Sequence, residues 1–169
     1  MKKIFILDGY NVIYQIPEIT VKLDESLAAA RSALAIRMTE WKRSRVNAWV
    51  IIVFDGRDSD FTDCSRTNIC GIDCVFTRTG EAADDRIISI VRSSEEPSGI
   101  TVISHDNRVR NGARSHGARV EYPAFLRKSG KRTNKPAIRA DKAFSAKKNK
   151  SVTDYYEEHL RNKGKIDEF

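Results

Sequence analysis

The chain has 169 residues, 30 Lys/Arg against 23 Asp/Glu and a formal net charge of +7, which suits one domain with a real hydrophobic core. Its longest apolar run, Ala48 to Phe54, is too short to cross a bilayer, and the apolar start breaks at Asp8 after four residues, too short for an export signal. A cytoplasmic protein without a membrane partner is expected.

In chain order, Lys3 to Leu7 reads as a first strand. Asp24 is the expected N-cap of a helix running to about Arg43, with Leu27, Leu34, Met38 and Trp41 recurring at helical spacing as one apolar stripe. Ala48 to Phe54 is apolar on both faces and rich in Val and Ile, as a central parallel strand requires. Asp55 to Gly71 is polar and reads as a loop near the strand ends. Cys64, Cys70 and Cys74 fall within this region and just after it. They are odd in number, lack the C-x2-C knuckle and have no histidine close in sequence, so idle or buried thiols are favoured over zinc or disulfides.

Ile72 to Phe76 is a third strand. Ala82 to about Arg92 reads as a helix with Ile87, Ile88 and Val91 inward. Glu95 to Gly99 is a turn, Ile100 to Ile103 a fourth strand, about Asn107 onward a short helix and Ala118 to Tyr122 a last strand. Strands alternating with helices predict an α/β fold with a mostly parallel sheet and helices on both faces.

After Leu126 the composition changes. From Arg127 onward there are 13 Lys/Arg and 6 Asp/Glu, whereas the residues before it hold 17 of each. Residues 127 to 150 have few large apolar side chains and are expected to be disordered alone, and Ser151 to Arg161 is a candidate short helix. A domain over 1–126 with a basic tail over 127–169 is therefore expected, and the tail's charge suits a polyanion, RNA first.

The acids carry the chemistry. Asp8 ends the first strand, Asp55 ends the second, and Asp106 lies three residues past the fourth. In a parallel sheet these ends share one edge, where ligands bind. Ile87, Ile88 and Val91 lie at i+3, i+4 and i+7 from Asp84, so that carboxylate faces inward from the first helical turn. Gathered carboxylates repel, and burying them ionised is costly. Divalent cations with a preference for oxygen, Mg²⁺ or Mn²⁺, remove that conflict and assist phosphoryl chemistry. Each aspartate alone also suits a turn or a helix cap.

Gly9 permits a tight backbone, and the Asn11 amide can hold Asp8 or a phosphate, unless both are ordinary turn residues. Arg31 interrupts the apolar stripe and either snorkels or reaches the acidic edge. Glu81 is a ligand or a helix-start charge, and Asp85 a solvated neighbour. There is no G-x-x-x-x-G-K-[ST] phosphate loop, and Asp8-Gly9-Tyr10 lacks the second aspartate of an aspartyl-phosphate phosphatase. His105, His116 and His159 have no paired nucleophile, though His105 belongs at the rim of the site.

Taken together, Leu7-Asp8-Gly9-Tyr10-Asn11-Val12-Ile13, Ala30-Arg31-Ser32-Ala33-Leu34, Val53-Phe54-Asp55, Phe76 through Asp85, Val102-Ile103-Ser104-His105-Asp106 and Gly117-Ala118-Arg119 resemble the NYN domains of the PIN-like nuclease superfamily, within them the YacP-like branch. The resemblance spans residues 4 to about 126. It implies a PIN-like α/β/α fold, divalent-metal endoribonuclease activity, metal roles for Asp8, Asp84 and Asp106 with Asp55 nearby, and action on mRNA at the ribosome. Three departures stand out. His105 replaces a usual serine or threonine, Asp85 a common glutamate, and the basic tail lies outside the core motif.

The resulting expectation is an endoribonuclease. Asp8, Asp84 and Asp106 hold one or two Mg²⁺ or Mn²⁺ ions, with Asp55 and Glu81 as further ligands or their supports and Asn11 beside them. Arg31, Arg108, Lys128, Lys131 and Arg132 hold RNA. The alternatives are a non-catalytic RNA- or ribosome-binding module and a phosphohydrolase of small phosphoesters.

Overall fold

Runs of Val, Ile and Leu too short for helices become the strands of one sheet. The computed structural model describes residues 3–56 and 65–126. Its elements are β1 (Lys3–Asp8), α1 (Gly9–Gln15), α2 (Pro17–Thr20), α3 (Leu27–Arg43), β2 (Ala48–Phe54), β3 (Ser65–Ile69), β4 (Ile72–Phe76), α4 (Ala83–Arg92), β5 (Ile100–Ile103), α5 (Asn107–Ser115) and β6 (Arg119–Glu121). Short 3-10 turns lie at Val21–Leu23, Pro97–Gly99 and Pro123–Leu126.

The sheet order is β3-β4-β2-β1-β5-β6, with β3–β4 antiparallel and the other pairs parallel. Side chains alternate across it. Leu7, Val50, Ile52, Phe54 and Cys74 pack with Val12, Ile13, Leu34 and Met38 from α1 and α3. Ile6, Ile51, Val53, Val75 and Val102 pack with Ile87, Val91, Val109 and Ala113 from α4 and α5. Helices thus cover both faces, the expected α/β architecture. Leu34 and Met38 are fully buried; truncating either to Ala should cost about 2–5 kcal/mol. No helix among the described residues is long and apolar enough to cross a membrane.

Topology places the site. The chain steps outward from β1 to β2 and β4, then returns to the other side of β1 to add β5 and β6. The direction reverses between β1 and β5, and at such a point the strand ends open a crevice.

Four local readings change. The cap of α3 is Ser26, whose hydroxyl accepts from the Ala29 amide at 3.0 Å, and not Asp24. Asp24 is in a helical conformation after the Val21–Leu23 turn, whereas a capping residue must be extended, as Ser26 is (φ −175°, ψ 162°). Second, Gly9 and Asn11, for which an ordinary turn is the alternative above, begin a helix over Gly9–Gln15 that has no counterpart in the sequence reading. Third, the polar stretch read as a loop contains β3, joined to β4 through Cys70 (φ 51°) and Gly71 (φ 83°), the left-handed pair that a tight hairpin requires. Residues 57–64, also in that reading, lie outside the described residues. Fourth, Ile88 is half-buried while Ile87 and Val91 are fully so; it packs over Gly112 of α5, where a Cβ would overlap its side chain.

Candidate functional site

The register of β1 sets Asp8 against Val53 of β2, and Leu7 against Ile103 of β5. One residue past that last pair, Ser104 is fully buried and donates its hydroxyl to Asp8 Oδ2 at 3.1 Å. The Ser104 hydroxyl oxygen in turn accepts from the Asp106 amide at 3.0 Å, so one serine ties the β1 end to the residues just past β5. Asn11, in the first turn of α1, accepts from the His105 amide at 2.8 Å through its side-chain oxygen. This bridge allows α1 to start directly at the strand end. Gly9 is required there, because any Cβ would run into the Phe54 ring.

Asp55 and Asp106 do double duty as helix supports. Asp55 Oδ1 accepts from the Ala83 amide at 3.2 Å, anchoring the start of α4. Thr77, buried beside it, accepts from the Gly56 amide at 3.0 Å, and a Cβ at Gly56 would overlap the Thr77 carbonyl. Asp106 caps α5 through Oδ1, which accepts from the Arg108 and Val109 amides at 2.6 and 3.4 Å. Among the described residues, the second oxygen of each of these carboxylates has no hydrogen-bond partner.

Electrostatics bind the set together. Asp8 is 7% exposed. Burial pushes its carboxyl up to about 7, with repulsion from Asp84 and Asp106 adding to it, while Ser104 and the Asn11 backbone pull it down. Burial likewise raises Asp84 to about 6, aided by the charges of Asp106, Asp55 and Asp85 and opposed by Arg108. Asp8 therefore feels the charge of Asp84 and Asp106, and Asp84 that of Asp106 and Asp55. Among the described residues these carboxylates do not close into a tight ligand group of three or more. Arg108, 3.5 Å from Asp84, offsets part of their repulsion, and Mg²⁺ usually keeps several waters where few carboxylates reach it.

The other expected site residues fall at the rim or elsewhere. Glu81 pairs with Arg86 at 2.8 Å and lies 3.9 Å from Arg78. Arg31 sends Nε to the Tyr10 hydroxyl at 2.8 Å and lies over the rings of Phe76, Tyr10 and Phe54 at 5.0, 5.4 and 5.7 Å. Arg108 pairs with Asp85 at 2.6 Å and with Asp84 at 3.5 Å. Lys128, Lys131 and Arg132 lie outside the described residues. Ser104 and Thr77 were not singled out as site residues. A small polar residue ending an otherwise apolar strand, level with Asp8, is the signal that could have found Ser104.

A family model described as a YacP-like NYN domain matches residues 5–166. Over 90 residues the chain is 31% identical to the protein YacP of Bacillus subtilis (strain 168); the aligned part covers 53% of this chain and 52% of the relative, so the chain spans about half the length of the curated relative it matches. Two crystal structures of Rae1 (YacP) from Bacillus subtilis share the fold at 26% identity. A point mutant gives a TM-score of 0.59 over 73% of this chain and 72% of its own. The other gives 0.52 over 73% and 71%.

Proposed function

Because the chain belongs to the YacP-like NYN domain family, we propose that it is a divalent-metal-dependent endoribonuclease working at the β1/β5 crevice. The observation that supports this reading most is the coupled set of aspartates at one sheet edge, with Asp8 and Asp84 raised to about 7 and 6 by burial and mutual repulsion. In their ionised form, acids held in that state are costly unless a cation joins them.

The donor set is all oxygen, which fits Mg²⁺ or Mn²⁺. Asp8, Asp84 and Asp106 would hold the ion, with Asp55 beside them. Bound there, the cation would supply Lewis-acid polarisation of the scissile phosphate and make an attacking water more acidic. The chain's own residues do the positioning. Ser104 fixes the Asp8 carboxylate through Oδ2, Asp106 is locked by the first turn of α5, and Asp55 by the start of α4. Asn11 keeps the β5 end in place. Glu81, held by Arg86, supports the turn before α4. Arg31, Arg108 and the basic residues beyond Leu126, Lys128, Lys131 and Arg132 among them, would meet the RNA backbone, with mRNA at the ribosome as the proposed setting and the cytoplasm as the compartment.

The test is Mn²⁺-dependent cleavage of free RNA and of ribosome-bound mRNA by the wild type and by Asp84→Asn, with folding followed by circular dichroism. Loss of cut ends in a folded variant is expected; cleavage at the wild-type rate would sink the mechanism. A second reading, a non-catalytic RNA- or ribosome-binding module, draws on the Arg108 guanidinium already paired with Asp84. It predicts RNA binding without cleavage under any divalent metal.

A further inference from the structure

We propose that Tyr122, backed by Arg110 and edged by His105, is a stacking platform that receives one unpaired base of the RNA beside the carboxylate crevice. The inference deepens the endoribonuclease reading and rests on it for the identity of the ligand.

The platform is assembled from three elements at the same edge as the aspartates. Tyr122 follows β6, whose Glu121 carbonyl accepts from the Ser104 amide at 3.3 Å, which places the ring beside the β5 end. The Arg110 guanidinium of α5 lies 3.8 Å from the ring centroid. His105, whose amide is held by Asn11, meets the ring edge-on with centroids 5.7 Å apart at 64°. Tyr122 remains 53% exposed. With a guanidinium over one face and an imidazole at one edge, the opposite face is the one assigned to the base.

Arg110 is itself an unusual backing. It is only 8% exposed, bonds Asn107 through Nη2, and leaves Nε without a hydrogen-bond partner among the described residues. A buried guanidinium with an unsatisfied donor is costly; its cation–π contact with Tyr122 offsets part of that cost. Such an aromatic face, cationic behind and bordered by a histidine, has the chemistry of a nucleobase platform. Every base presents a π-face, and the positive backing favours the nearby phosphates. A base inside a duplex is already stacked on both sides, so the ligand is a single strand.

The test uses full-length Asp84→Asn, expected to bind without cutting, and short single-stranded RNAs carrying one abasic nucleotide at successive positions. In the Tyr122-containing protein, one abasic position should weaken binding about tenfold, the scale of a single base–aromatic stack. Tyr122→Leu, which keeps apolar bulk, should bind the intact strand about tenfold more weakly and lose sensitivity to that position. Tyr122→Trp should restore both, and duplex RNA should not distinguish the three. Equal affinity of Tyr122→Leu and its parent for the intact single strand, or equal losses for single strand and duplex, would overturn the platform. The nuclease reading fails separately: if wild type never cuts RNA while the abasic pattern persists, the platform stands without it.

Discussion

Two aspartates on the same sheet, Asp8 and Asp73, have opposite fates. Asp73, near the start of β4, receives the Trp49 indole N–H at 2.6 Å and the Asn68 amide at 3.2 Å. The Trp49 bond above all, with Asn68, Lys42 and Arg66 adding to it, holds its carboxyl below the usual range. Asp8 receives the Ser104 hydroxyl and the Asn11 backbone amide, but it is nearly sealed from water and faces other carboxylates, and it is pushed up to about 7. Neutral donors and cations make one acid a structural anchor. Burial among like charges makes the other a group waiting for a counterion. The difference separates a supporting end of the sheet from a chemical one without any reference to sequence motifs.

The sharpest way to break this contrast is Asp8→Asn. If Asp8 holds a catalytic cation, RNA cleavage should fall on the order of a thousandfold. Stability should move the other way. A carboxyl whose folded pKa is raised from 3.8 to about 7 contributes stability that is full below about pH 4 and is lost as pH rises through 7. In chelator, wild type should therefore lose about 2–3 kcal/mol between pH 5 and pH 8, and Asp8→Asn should flatten that slope. Urea titrations at the two pH values measure it. A slope of equal size in the variant would show that Asp8 is not the strained acid.

The strands and the acidic edge were legible from residues, whereas Asp73 and its role were not, and the limits were physical. β4 and β5 could be placed to the residue because Ile72 to Phe76 and Ile100 to Ile103 are short, mostly apolar segments between polar turns, each with a single polar residue (Asp73, Thr101). Asp84 could be aimed inward because its neighbours at helical spacing, Ile87 and Val91, are core residues. What stayed hidden lacks an apolar signature. Arg66, Thr67 and Asn68 of β3 are all exposed, as an edge strand tolerates, so no alternation announces it. α1 is seven residues long with no side-chain cap, and its stability comes from Tyr10, Val12 and Ile13 packing below it. Ser104 matters through a partner 96 residues away, a pairing that only the β1–β5 register creates.

Ser104→Ala sharpens the comparison by stripping Asp8 of the hydroxyl that pulls its pKa down. The acid limb of the cleavage pH profile should move to higher pH, and activity should fall about 10- to 100-fold, the usual effect of losing a group that orients a metal ligand. An unmoved limb would remove Ser104 from the site. Asp73→Asn probes the other pole. Its lowered pKa contributes stability above pH 4 that is lost as pH falls, so the variant should cost about 1 kcal/mol at pH 7 and less near pH 3. Cleavage should be unaffected; a large loss of activity would erase the distinction between the two ends.

The smallest expected effect tests whether the chemical end truly lacks a counterion. Arg108 lies 3.5 Å from Asp84 and 2.6 Å from Asp85 on a side chain that is 63% exposed, so its pairing with Asp84 is worth at most about 1 kcal/mol. The guanidinium nevertheless competes for the charge that a divalent ion would use. Arg108→Gln should tighten Mn²⁺ binding a few-fold in titration calorimetry at pH 8, and loosen RNA binding if the same side chain also meets phosphate. Unchanged or weaker Mn²⁺ affinity would mean that Arg108 does not contend with the metal at Asp84. The opposite result would make Arg108 the site's own weak cation, held in place until a stronger one arrives.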